Sequence, residues 1–244
     1  SRYWFDVQEN VNRTARDDAE RLLSGGREEV HVEIVDRLRA EKGNGDFAGV
    51  HPPPRTSDDV ADQDAARLVI LGPDAPHIAR AEESPARHAA RELLERRGGA
   101  PRQYKNMLVF AAADQRRLED LERAAAEYLA WQGILDRSDA LVVSTQQLKH
   151  ADAMRRRANE AIDLRLAETY QWVLVPRQPN PVGPIELEEV HLDAQGTVAQ
   201  RASRKLISEG ALAVQFPAQV LRSRLDRELA PLWEDGHVAV RDLW

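Results

Sequence analysis

Apolar positions recur at helical spacing in several parts of the chain. The first such stripe spans residues 9–24 and is formed by Val11, Ala15, Ala19 and Leu22. A period of about 3.6 residues is typical of an amphipathic helix, and the pair Gly25-Gly26 predicts where this helix ends. Three further stripes follow residues that commonly cap helices, so each predicts another helix. These capping residues are Ser84, Asp114 and either Ser144 or Thr145.

Other segments have the patterns of strands. Continuous apolar runs predict buried strands at residues 67–72, 106–112 and 170–175. Residues 29–36 alternate apolar and polar side chains, which predicts a half-buried strand. We expect shorter strands at residues 3–8, 140–143 and 185–192, the last of them at the outer edge of the sheet.

Residues 41–63 show no periodicity. They contain three glycines and three consecutive prolines, so we predict a mobile surface loop. Within it, residues 43–48 match the dinucleotide-binding fingerprint G-x-G-x-x-A. That fingerprint requires a strand directly before it and a helix directly after it. Charged residues precede the match and prolines follow it, so we expect the match to be coincidental.

Strands that alternate with helices predict an α/β fold, with a parallel or mixed sheet of four to five strands flanked by helices. We assign this domain to residues 28–192. Residues 1–27 are predicted to form a strand and a helix that continue from a missing upstream domain. Residues 193–244 are predicted to form a helical tail with a winged-helix outline. Its elements are helices over 199–210 and 217–230 and a strand at 237–240.

Composition narrows the class of protein. The 244 residues carry 34 basic and 41 acidic side chains, and a net charge of −7 argues against binding of nucleic acid by the whole surface. The absence of cysteine excludes disulfides, thiolate nucleophiles and cysteine-bound metal centres. No apolar run approaches the roughly 20 residues of a membrane helix, so we expect a cytoplasmic protein without a membrane partner. The chain opens without methionine, and we expect it to be an excised piece of a longer protein.

Several catalytic motifs are missing from the sequence. No glycine is followed by lysine, so the phosphate-binding P-loop is absent. No Gly-x-Ser-x-Gly elbow exists, and none of the seven histidines forms a His-Glu-x-x-His pair. We therefore assign no catalytic, cofactor-binding or metal-binding residue, and expect no cofactor in this chain. We also predict that the chain alone does not hydrolyse ATP.

Two sets of residues remain as candidates for binding. Ligands of open parallel sheets bind beyond the carboxyl ends of the strands. On that basis Gly72, Asp114 and Arg177 are candidates for a ligand or interdomain contact at one edge of the sheet. Residues 201–227 carry six basic and two acidic side chains, which makes the tail a candidate DNA-binding element. Its candidate DNA contacts are Arg222, Arg224 and Arg227.

An ordered set of short motifs resembles a known family. The motifs are Tyr3-Trp4-Phe5-Asp6, Asn106-Met107-Leu108-Val109-Phe110, Thr169-Tyr170-Gln171-Trp172-Val173-Leu174-Val175-Pro176 and His237-Val238-Ala239-Val240-Arg241-Asp242-Leu243-Trp244. In this order and spacing they resemble the prokaryotic family catalogued as domain-of-unknown-function 499, whose members are large predicted ATPases of the AAA+ class, often encoded beside phage-defence genes. The resemblance implies that the nucleotide-binding motifs lie upstream of Ser1 and that this chain follows the ATPase core.

Two functions remain open from the sequence. The first is a non-catalytic interaction or signal-coupling region of a large predicted ATPase, acting near nucleic acid in phage defence. Its expected partners are the rest of that ATPase, DNA and defence-system proteins. The second is a degenerate nucleotide-processing enzyme domain with a site at the carboxyl ends of the strands. If an arginine acts in trans on a neighbouring ATPase site, Arg13 and Arg16 are the candidates.

Overall fold

The computed structural model describes residues 10–138, 143–180, 183–193 and 195–213. In that part of the chain the helices are α1 (Val11–Gly25), α2 (Arg27–Ala40), α3 (Pro85–Glu95), α4 (Gln115–Asp136), α5 (Thr145–Thr169) and α6 (Val198–Ser208). The strands are β1 (Gly49–His51), β2 (Arg67–Ile70), β3 (Arg96–Arg97), β4 (Ala100–Pro101), β5 (Leu108–Ala112), β6 (Trp172–Arg177) and β7 (Glu186–His191).

Some predicted elements lie outside the described residues. These are the strands at 3–8 and 237–240, the helix at 217–230 and all but the last residue of the strand at 140–143. The winged-helix outline of the tail therefore stays a prediction. The same holds for the domain boundaries after residues 27 and 192. The contacts within the chain divide it into two compact units, residues 1–205 and 206–244.

The predicted helix caps are confirmed. Ser84 Oγ accepts a hydrogen bond from the amide of Arg87 and Pro85 opens α3. Asp114 accepts from two amides in the first turn of α4. Ser144 caps α5 in a reciprocal capping box with Gln147. In each case the side chain satisfies amides that the first helical turn leaves without partners.

The α/β class and a mixed sheet are confirmed. The five main strands lie in the order β1-β2-β5-β6-β7. Strands β1, β2 and β5 are parallel, whereas β6 and β7 run antiparallel to their neighbours. Ala112 at the end of β5 lies opposite Trp172 at the start of β6. The helical hairpin of α4 and α5 explains this direction, because α4 leads the chain away from the end of β5 and α5 leads it back. We call the side where β2 and β5 end the carboxyl edge.

The strand predicted at residues 29–36 is wrong, because this segment belongs to helix α2. Val30, Ile34 and Leu38 are buried at every fourth position, whereas Val32 is 54% exposed. The apolar residues of the segment fit both a period of two and a period of four. Acidic residues in the first turn of α2 and basic residues in its last turn favour the helix, because they complement the helix dipole.

The mobile loop predicted at residues 41–63 contains ordered elements. Strand β1 pairs in parallel with β2, a 3₁₀ turn spans Ser57–Asp59, and Val60 is fully buried. Turn residues dominate this sequence, so its short edge strand gives no periodic signal. The fingerprint at residues 43–48 lies between a helix and a strand, an arrangement opposite to the one that dinucleotide binding requires.

Helices cover the sheet and bury its apolar side chains. Val69 and Leu71 pack on α3 through Ala86, Ala90 and Leu94. A second apolar cluster joins α1 to the hairpin of α4 and α5, and its buried members are Val11, Ala15, Trp131, Ile134 and Ala151. Helix α3 ends at Glu95, and Gly98-Gly99 forms the turn of the β3–β4 hairpin, where Gly98 has a φ of +57°. None of the described helices combines the length and the apolar composition needed to span a bilayer.

Candidate functional site

A buried histidine occupies the carboxyl edge of the sheet. The segment after β2 places His77 beside the end of β5, and the His77 amide donates to the carbonyl of Ala113 at 2.7 Å. The imidazole is fully buried. Its Nδ1 lies 3.1 Å from Ser84 Oγ and its Nε2 lies 2.8 Å from Glu189 Oε2. A neutral ring that donates from Nε2 to Glu189 and accepts the Ser84 hydroxyl proton at Nδ1 satisfies all three groups.

This order of serine, histidine and carboxylate resembles a hydrolase triad, but the three side chains form hydrogen bonds that hold the fold together. A nucleophilic serine must present its oxygen to substrate. Ser84 is only 6% exposed, and its Oγ accepts the Arg87 amide at 3.2 Å as the cap of α3. The serine oxygen is therefore committed as acceptor to the helix and as donor to His77. Through these hydrogen bonds, His77 holds α3 and β7 in position around itself.

Glu189 holds the loop between β2 and α3. Each of its carboxylate oxygens accepts the Arg80 amide at 3.0 Å, and Arg87 Nη2 lies 3.4 Å from Oε2. Arg80 has a φ of +61°, a conformation that costs a residue other than glycine about 1 kcal/mol. Burial raises the pKa of Glu189, but the hydrogen bonds from His77 and the Arg80 amide outweigh it and hold that pKa below its usual value. Burial lowers the pKa of His77.

Asp114, a predicted contact residue, is already bound to its own fold. One oxygen caps α4 through the amides of Arg116 and Arg117 at 2.9 and 3.3 Å. The other accepts the indole N–H of Trp172 at 2.8 Å. Burial raises the pKa of Asp114, and these hydrogen bonds, led by that of Trp172, hold it below its usual value. Asp114 thus fastens the end of β5 to the start of β6 and offers no oxygen to a ligand.

Gly72 lines an open cavity at the carboxyl edge. The cavity measures about 560 Å³, and its apolar floor includes Leu71 and Leu93. The rim carries both charges, from Arg55, Asp74, Glu92, Glu95 and Arg96. A side chain at Gly72 would collide with a carboxylate oxygen of Asp74. Glycine is therefore required for the close approach of that carboxylate to the backbone after β2.

The expectation that Arg177 shares this edge with Gly72 and Asp114 is wrong. Strand β6 is antiparallel to β5, so its last residue lies at the opposite edge of the sheet. There Arg177 Nε donates to Glu188 at 2.9 Å. Arg177 lines a separate cavity of about 810 Å³ together with Arg91 and Lys105. The prediction assumed that the third strand was parallel, and the helical hairpin before it reverses its direction.

Sequence patterns did not reveal the cluster around His77. Ser84 was predicted only as a helix cap, and Glu189 stands next to Glu188 in a pair of acidic residues that matches no motif. Glu188 is exposed, but Glu189 is partly buried beneath the loop. His77 and Glu189 are separated by 112 positions, and no local spacing links them. His31, predicted on the surface of a strand, lies on α2 with Nε2 2.7 Å from Glu122 of α4.

The remaining candidates give no further site in the described part of the chain. Arg222, Arg224 and Arg227 lie outside the described residues. Among the described residues, no three His, Asp or Glu side chains are grouped so that they could hold a metal ion. No family model, no curated protein and no solved structure matches this chain.

Proposed function

We propose that this chain is a non-catalytic interaction region of a larger ATPase, as its resemblance to domain-of-unknown-function family 499 suggests. In this role it would couple the nucleotide state of the ATPase to partner proteins or DNA. The observation that carries the non-catalytic part is the buried cluster of Ser84, His77 and Glu189. It is the most triad-like group in the described residues, and every polar atom in it is engaged by the protein itself.

A degenerate nucleotide-processing enzyme is the second candidate, and the cavity beside Gly72 favours it. Ligands of α/β proteins commonly bind at this edge of the sheet. Arg55 and Arg96 on the rim could meet phosphates, although Asp74, Glu92 and Glu95 oppose them. In this function the neighbouring cluster around His77 would hold the loop that forms one wall of the cavity.

Phosphate release by the purified chain with magnesium and ATP separates the two functions. The first function predicts release equal to that of a protein-free blank, because the sequence has no P-loop lysine to hold the phosphates. The same preparation is tested with a p-nitrophenyl ester, because Ser84 would attack an acyl group if it were accessible. Ester turnover that survives repurification and is abolished in Ser84→Ala would overturn the non-catalytic proposal.

Calorimetric titration with ADP and ATP tests the cavity. The second function predicts binding that is lost in Arg55→Glu/Arg96→Glu, whereas the first predicts no heat of binding. A control variant with the same charge change, Arg123→Glu/Arg165→Glu, alters exposed residues of α4 and α5 away from the cavity. Binding lost in the cavity variant and kept in the control establishes a nucleotide site and favours the enzyme.

A further inference from the structure

The amino-terminal halves of α1 and α5 form one surface. Both helices begin at the same end of the molecule, where His150 Nε2 lies 2.9 Å from Asn12 Oδ1. Beneath this contact, Val11 of α1 and Ala151 of α5 pack in one apolar cluster with Trp131. The Trp131 ring also meets His150 edge-on at 5.8 Å. The two first turns are therefore held side by side by packing and by a hydrogen bond.

Positive charge is concentrated on this surface. Residues 11–17 of α1 and 145–157 of α5 carry six basic side chains and only two acidic ones, in a chain whose net charge is −7. The basic residues are Arg13, Arg16, Lys149, Arg155, Arg156 and Arg157. We call this set the α1–α5 basic surface. In α5 the other acidic residues, Glu160, Asp163 and Glu168, all follow Arg157, so the amino-terminal half of this helix carries most of its positive charge.

Three of these cations are free to meet a ligand. Arg13 pairs with Asp17, and Arg155 and Arg156 pair with Asp152. Arg16, Lys149 and Arg157 are exposed, and none of them has an ion-pair or hydrogen-bond partner within the ranges that the structure describes. Hydrogen bonding to Arg155 and the charge of Arg156 lower the pKa of Asp152, as a positive local field requires.

The placement of one of these cations, Arg13, works against the stability of α1. The amino-terminal end of a helix carries partial positive charge, so nearby anions stabilise it and nearby cations destabilise it. Neither α1 nor α5 has an acidic residue in its first turn, and Arg13 occupies the first turn of α1. Local choices that oppose stability are expected where function requires them. An anionic ligand would relieve both the repulsion among the cations and the unfavourable amino-terminal end of α1.

We propose that the α1–α5 basic surface binds the phosphate backbone of nucleic acid without recognising its sequence. The free groups are cations on long, exposed side chains. Such groups can reach the repeated charges of a phosphate chain more easily than they could reach a carboxylate buried in a partner. The free cations are exposed and are spread over two helices, so a polymer of phosphates suits them better than a single nucleotide. The inference extends the proposed interaction function but does not depend on membership in an ATPase, because it rests on charge and geometry alone.

Fluorescence anisotropy of a labelled DNA duplex with the full chain tests the proposal. Three phosphate contacts predict that log Kobs falls with log salt at a slope of about −2.7. A fourfold rise in salt should therefore weaken binding roughly 40-fold. The variant Arg16→Gln/Lys149→Gln/Arg157→Gln should lose most of the binding and most of the slope. These side chains are exposed, and an unchanged thermal melt verifies that the variant is folded.

Two matched comparisons make the result specific. The control Arg39→Gln/Arg123→Gln/Arg165→Gln removes the same charge from exposed positions outside this surface and should bind as the unaltered chain does. If Arg222→Gln/Arg224→Gln/Arg227→Gln alone abolishes binding, DNA binds to the tail and the inference is wrong. Absence of binding at about 50 mM salt would also overturn it. Equal competition by polyglutamate would assign the surface to acidic polypeptides instead. None of these outcomes bears on phosphate release, so the proposed function is tested separately.

Discussion

Removing the guanidinium of Arg102 should destabilise the segment before β2 more than any exposed substitution does. The Arg102 side chain is fully buried, although its nearest carboxylate, on Asp62, lies 3.9 Å away. Its three nitrogens donate to four backbone carbonyls, those of Leu93 at 2.8 Å, Ala61 at 3.1 Å, Val60 at 3.2 Å and Ser57 at 3.4 Å. One side chain thus joins residues 57–61 to the carboxyl-terminal half of α3.

The magnitude follows from what Arg102→Met leaves behind. Methionine fills a similar volume but donates no hydrogen bond, so four carbonyls lose their partner. A hydrogen bond to a charged group contributes about 1.5–3 kcal/mol. Burial lowers the pKa of Arg102, which shows that the buried charge is itself costly, and its removal offsets part of the loss. Water can also reach some of these loop carbonyls. We therefore expect a loss of about 3–5 kcal/mol in the free energy of unfolding, which is less than the sum for four such hydrogen bonds.

Urea unfolding followed by circular dichroism measures this loss. At about 2–4 °C per kcal/mol, the melting temperature should fall by roughly 6–20 °C. Hydrogen exchange should show the earliest loss of protection at Val60, which is fully buried above this network. Arg102→Lys keeps the charge but cannot reach all four carbonyls. Its free energy of unfolding should therefore lie between those of the unaltered protein and Arg102→Met. Arg97→Met changes an exposed arginine of the same hairpin and serves as the control. A loss below about 1 kcal/mol in Arg102→Met would refute the reasoning.

Four further predictions concern the carboxyl edge. The pKa of His77 is lowered in the fold, so acidification below its unfolded value of 6.5 should destabilise the protein. The variant His77→Gln should remove that part of the pH dependence of urea unfolding. The lowered pKa of Glu189 adds a second loss below its usual 4.5, which Glu189→Gln should abolish. Ser84→Ala should cost about 1–2 kcal/mol in the same assay, since it removes a helix cap and a partner of His77. Gly72→Ala should lower the melting temperature, and Asp74→Ala should restore it in the double variant; no rescue would mean that the collision is not the cause.

Local chemistry made parts of this fold predictable from sequence. Ser84 and Asp114 begin helices because their side chains satisfy amides two or three residues away, and that requirement needs no tertiary context. Strands β2 and β5 are apolar at nearly every position because helices cover both faces of the sheet. Gly72 was predicted to contact a ligand or another domain at the end of a strand; it lines a cavity there, and the contact itself stays a prediction.

Tertiary structure decided the features that depend on distant partners. Residues 29–36 fit two periods equally well, and the packing of α2 on α4 adds to the charges at the two ends of α2 in selecting the helix. The direction of β6 depends on how α4 and α5 fold back on each other, and that turned Arg177 away from Gly72. His77 and Glu189 meet because the loop after β2 crosses the sheet to β7. Sequence determines what each residue can bond to nearby, whereas the burial that makes a distant pair favourable exists only once the sheet has formed.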